Sequence, residues 1–112
     1  MYFCLLSLLS LFTYSLGTIC TPPQGTYYIE TQSQLAQLKN CSTINGNLRI
    51  IGEYDIYNLY DLENITDING HLMIIDSHSL NSLSGLNNLQ QIHGNNLYLD
   101  TYSVVIRNNN FI

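Results

Sequence analysis

Residues 66–76 read TDINGHLMIID. Ile68, Leu72 and Ile74 share one parity around Gly70, which is the alternation of a half-buried strand. Met73 and Ile75, on the other parity, are apolar too, so this short strand carries two greasy faces. The same word recurs on either side, as STINGNLRII around Gly46 and QQIHGNNLYL around Gly94. Both spacings between these glycines are 24 residues. The register extends upstream through Leu35, Leu59 and Leu83, and through Leu38, Leu62 and Leu86. Cys41, Ile65 and Leu89 form the next column, and Ile44, Ile68 and Ile92 the one after. Self-similarity at a fixed period of this size marks a repeat architecture.

Each copy therefore reads as one turn of a solenoid, with the repeating apolar columns turned inward. The strand after each glycine is predicted to point Leu48 and Ile50, Leu72 and Ile74, and Leu97 and Leu99 into the core. Stacked turns would pair these strands in parallel. The glycines Gly46, Gly70 and Gly94 suit tight corners that need a positive φ or a close backbone approach. The third copy has one residue more before its strand, which predicts a bulge or wider corner. Asn40, Asn64 and Asn88 make a further column, read as turn asparagines bonded from rung to rung. Upstream, ETQSQLAQLKN has the pattern of a short helix capped by Thr31 or Ser33, with Leu35 and Leu38 facing the core. It is expected to close the open end of the stack.

The chain has 112 residues, room for one domain. Three Lys/Arg stand against eight Asp/Glu, and only 10% of residues are charged. Without a basic patch to neutralise phosphates, nucleic-acid binding is excluded as a function. Residues 1–17, MYFCLLSLLSLFTYSLG, read as a signal peptide. Ser15 and Gly17 supply the small residues before a cut at Thr18, leaving residues 18–112 as the mature domain. The apolar core Phe3 to Phe12 is too short to span a bilayer, so no membrane span is expected in the mature chain. Cys4 leaves with the signal. Cys20 and Cys41 remain and are expected to pair in an extracellular compartment. Two sequons, at Asn40 and Asn64, make N-glycosylation an expectation.

No catalytic or metal chemistry is proposed by the motifs. His71, His78 and His93 lack a ligand spacing. His71 and His93 are read as exposed corner residues. Asp61, Glu63 and Asp67 do not make the Asp-x-Asp-x-Asp-Gly loop of a calcium site. Neither a Gly-x-Ser-x-Gly elbow nor a Gly-Lys-Ser/Thr phosphate loop occurs. The reading is a protein that is not an enzyme and uses no cofactor.

LAQLKNCSTINGNLRI, ITDINGHLMI and LQQIHGNNLYL together resemble the receptor L domain, the ligand-binding lobe of insulin-receptor and epidermal-growth-factor-receptor ectodomains. The resemblance covers residues 20 to about 107. It implies a mainly β fold, a right-handed single-stranded parallel β-helix, with its N-terminal cysteine tied to the one before the first Ile-x-Gly. It also implies that the sheet's exposed face binds a polypeptide ligand or another receptor chain. By motif position, and by parity alone, that face would present Arg49, Ile51, Met73, Ile75, Tyr98 and Asp100. Four of these are apolar or aromatic, and contiguous exposed patches of that kind mark protein interfaces. The expected function is a secreted growth-factor-receptor-like module, a fragment or decoy, that binds a protein ligand. The alternative is a structural or adhesive secreted solenoid without a hormone. The family usually continues for one or two further turns to another disulfide-linked cysteine, and a fourth turn is expected to start near VVIRNNNFI.

Overall fold

A computed structural model describes residues 17–110. The signal-peptide reading falls outside those residues except at Gly17. The 24-residue period becomes a stack of four rungs, each contributing one strand to each of two parallel sheets. The first sheet orders β1 (Ile19–Cys20), β3 (Thr43–Ile44), β5 (Asp67–Ile68) and β7 (Gln91–Ile92). The second orders β2 (Thr26–Ile29), β4 (Asn47–Ile50), β6 (Leu72–Ile75) and β8 (Val104–Arg107). All six strand pairings are parallel. Between them, the columns read from the sequence fill the interior. Leu35, Leu38, Cys41 and Ile44 are buried, as are their equivalents Leu59, Leu62, Ile65 and Ile68 one rung on. Ile56 and Leu80, also 24 apart, are a buried column that the reading of the sequence did not include.

The short helix forms as α1 (Gln32–Ala36), with Thr31 as its N-cap. Gln34 N–H donates to Thr31 Oγ1 at 3.1 Å, and Gln34 Oε1 accepts from Thr31 N–H at 3.3 Å. This reciprocal capping box satisfies two amides that a helix end otherwise leaves free. α1 packs on β2 and on the 3-10 turn Tyr60–Leu62, which holds the equivalent place one rung later. The Cys20–Cys41 disulfide is present, joining β1 to the segment after α1.

The asparagine column bonds between rungs. Asn64 Nδ2 donates to the Lys39 carbonyl at 2.9 Å, and Asn88 Nδ2 to the Glu63 carbonyl at 2.6 Å. Gly70 is required by close approach rather than by φ. A Cβ there would lie 1.9 Å from Asn47 Oδ1 and 2.8 Å from the Gly46 carbonyl oxygen. Gly94 differs, with φ at +65°.

Two features depart from the sequence reading. A rung precedes the first Ile-x-Gly word: Cys20 occupies the column of Ile44, Ile68 and Ile92. Its corner is longer, since Cys20 pairs 24 residues on with Ile44 but Thr26 pairs 21 on with Asn47. The second departure is in the third copy. Leu97 and Leu99 are not core strand residues; Leu99 is 70% exposed. The strand paired with β6 is β8, where Leu72 meets Val104, 32 residues on instead of 24. The eight extra residues fall within a small hairpin over Asn95–Ser103, in which Tyr98 and Tyr102 bridge antiparallel. Leu99 and Asp100 both have positive φ, 52° and 55°, and Thr101 N–H donates to the Tyr98 carbonyl. Leu99 to Thr101 thus form a three-residue loop between the paired tyrosines, its first two residues in the left-handed region. The β-branched run Val104-Val105-Ile106 then takes the strand place that Leu-x-Leu seemed to claim.

Candidate functional site

Register fixes which side chains share the outer face of the second sheet. Tyr28, Arg49, Met73 and Val105 lie in one row across β2, β4, β6 and β8. Ile75 lies beside Arg107 in the next row. Alternate side chains of a strand point to opposite faces, so the parity of the sequence reading holds for Arg49, Met73 and Ile75. Exposure does not follow from it. Met73 is only 2% exposed and Ile75 is 8% exposed, so neither belongs to an open patch. Arg49 and Ile51 are half-buried. Tyr98 and Asp100 sit on the hairpin rather than in a strand, Tyr98 half-buried and Asp100 exposed.

The hairpin folds back onto this face at Arg49 and His71, the first in register with Met73. Arg49 lies between two aromatic rings, its guanidinium carbon 5.5 Å from the centroid of Tyr28 and 5.2 Å from that of Tyr98. These are cation–π distances. Tyr28 comes from the first rung and Tyr98 from the hairpin, so one arginine joins the two ends of the stack. Arg49 Nε–H donates to His71 Nε2 at 3.0 Å. His71 Nδ1 lies 3.0 Å from the Asn96 carbonyl and donates to it, because its other nitrogen is already the acceptor. The Tyr98 ring meets the His71 ring edge-on, centroids 5.9 Å apart.

His71 is therefore not the exposed corner residue that its place beside Gly70 suggests; it is 1% exposed. Its backbone N–H donates to Asn47 Oδ1, and Asn47 Nδ2 donates to Thr26 Oγ1, each at 3.0 Å. Polar atoms thus run from β2 through β4 and β6 to the hairpin in one satisfied chain. Burial pushes the His71 pKa below the ordinary imidazole value. The Asn96 carbonyl opposes that shift, and the charge on Arg49 adds to it. His93, by contrast, is exposed and pairs with Asp67 at 3.1 Å on the first sheet.

The open part of the site lies beside this stack. Tyr28 is 58% exposed, Tyr102 is 51% exposed, and Leu97, Val104 and Ile106 are also exposed. A groove of about 440 Å³ lies between the hairpin and β8, lined by Tyr98, Leu99, Tyr102 and Val104–Arg107. Val105 has the outer parity of Met73, whereas Val104 and Ile106 share the inward parity of Leu72 and Ile74 and are exposed on the last rung. Leu99 and Tyr102 escaped the sequence reading because LYLD matched the strand word. The signal against it was the β-branched run that follows. Asn40 and Asn64 are both exposed and do not line this groove. Among the described residues, no helix is long and apolar enough to cross a membrane.

Residues 40–112 match the family model described as the receptor L domain. No curated protein matches the chain.

Proposed function

We propose, from the premise that this chain belongs to the receptor L domain family, that it binds an extracellular polypeptide through the hairpin and the adjoining outer face of its second sheet. The family is a non-enzymatic, ligand-binding one, and the disulfide suits an extracellular setting. One observation carries the choice of face. The exposed apolar and aromatic side chains Leu99, Tyr102, Val104 and Ile106 gather around the groove, and exposed Tyr28 lies against Arg49 in the neighbouring stack. Exposed clusters of this composition mark protein interfaces, and tyrosine and arginine are favoured anchors in them. Arg49, Ile51, Tyr98 and Asp100 stay in the proposed face. Met73 and Ile75 leave it, because they are already buried. The same reading takes the stack as a right-handed β-helix closed at its first rung by α1 and the disulfide. It also takes residues 1–17 as a secretion signal and Asn40 and Asn64 as glycosylated, outside the binding face.

The test is a binding screen of the chain against a display library of extracellular polypeptides. Leu99→Glu and Tyr102→Ala are expected to weaken a selected binder by about tenfold or more, the cost of losing an interface anchor. Gln91→Glu, on exposed β7 of the other sheet, is expected to leave affinity unchanged. Binding lost through Gln91 and kept in both hairpin variants would move the site to the first sheet.

A further inference from the structure

We propose that the Asn95–Ser103 hairpin is a proton-operated flap, in which protonation of His71 releases it from the second sheet and uncovers Met73. This deepens the reading of that face as a binding site by naming its regulation. The release itself needs no ligand.

The argument starts from what the ring does when neutral. Nε2 accepts from Arg49, and Nδ1–H donates to the Asn96 carbonyl, so both nitrogens are used and in opposite senses. A protonated ring has two donors and no acceptor. Its Nε2–H then faces the Arg49 N–H across 3.0 Å, and two positive charges meet where one hydrogen bond stood. The groups facing the ring are Arg49 from β4, Tyr98 and the Asn96 carbonyl from the hairpin, and Asn47 through the His71 backbone. Tyr28 from β2 reaches the ring only through Arg49. Among the described residues no carboxylate pairs with either cation; the one His–carboxylate pair is His93 with Asp67. An imidazolium buried to this degree, without a counter-ion, has to reach water or expel its neighbour. Water reaches it when the hairpin lifts. Arg49 leaves by withdrawing from between Tyr28 and Tyr98. Either way Tyr98 loses the contacts that hold the hairpin down.

The pH window follows from linkage. Burial, with Arg49 beside it, lowers the folded pKa of His71 below the ordinary 6.5. The unfolded or open ring binds its proton first as pH falls, so the closed form is fully favoured above that value. It is lost as pH drops through the lowered folded value.

Met73 supplies the readout, because the sequence has only one other methionine, Met1. Hydrogen peroxide oxidises the thioether to the sulfoxide and leaves water. The rate is read by mass spectrometry of the peptide containing Met73, at about pH 7.5 and about pH 5. Native protein is expected to oxidise at Met73 several-fold faster at the lower pH, because the open form takes up the proton more readily than the closed one. Amide exchange in β4 is followed in parallel and is expected to stay protected. His71→Gln keeps an acceptor and a donor but does not titrate, and should abolish the pH response; His93→Gln should retain it. Equal oxidation rates of the native protein at both pH values overturn the proposal, whether or not His71→Gln folds. So does an undiminished response in folded His71→Gln, or loss of β4 protection together with the rise. Failure of the binding screen touches none of these readouts.

Discussion

Met73→Lys is expected to unfold the protein or to lower its stability by roughly 3 kcal/mol or more, the cost of a buried, uncompensated charge. Parity alone places Met73 on the outer face, where a lysine would be harmless. In the structure Met73 is 2% exposed, in register with Arg49, on which Tyr98 of the hairpin lies. A lysine there would also stand in register with Arg49, so its charge has a like neighbour instead of a partner. Leu99→Lys, at the hairpin tip, is the matched control and should change stability by no more than about 0.5 kcal/mol. Urea unfolding followed by circular dichroism reads both. A Met73→Lys variant as stable as the native chain would show that the hairpin does not cover this row.

Removing the disulfide is the second large effect. Cys20 and Cys41 lie 21 residues apart and close a loop that holds β2 and α1. Cross-linking a loop of this length stabilises by about 3 kcal/mol in the chain-entropy model. Domains of this size are stable by only about 5–15 kcal/mol, so the loss is a large fraction of the whole. Cys20 also occupies the inward column continued by Ile44 and Ile68, and Cys41 is buried. The Cys20→Ala/Cys41→Ala double variant is therefore expected to unfold at markedly lower urea, with the first rung losing amide protection before β4 and β6. An unchanged midpoint would mean that the first rung holds without its staple.

The repeat was legible because inward columns are paid for by burial in every rung, and burial needs the same residue types each time. Ile44 and Ile68, or Leu38 and Leu62, are interchangeable parts of one core, so a period of 24 exposed them. The helix was legible from Thr31 and Gln34, whose side chains satisfy backbone amides locally. What escaped the sequence was non-local. Cys20 does not look like an isoleucine, and the corner after it is longer by three residues, so the first rung carries no Ile-x-Gly word. Leu97, Tyr98 and Leu99 have the strand pattern, and only the left-handed backbone at Leu99 and Asp100 turns them into a hairpin. Hence the face predicted from parity was right in direction for Arg49 and wrong in exposure for Met73 and Ile75. The buried place of His71 was equally hidden, since it depends on Asn96 and Tyr98 arriving from an excursion the period did not announce.

Amide-exchange footprinting of the chain with a polypeptide selected in the screen tests the central claim most directly. The account predicts new protection over residues 26–29, 47–51 and 97–107, which cover β2, β4 and β8 of the second sheet and the hairpin, with β1, β3, β5 and β7 unchanged. Protection confined to those four strands of the first sheet, with residues 97–107 exchanging as in the free chain, would contradict it.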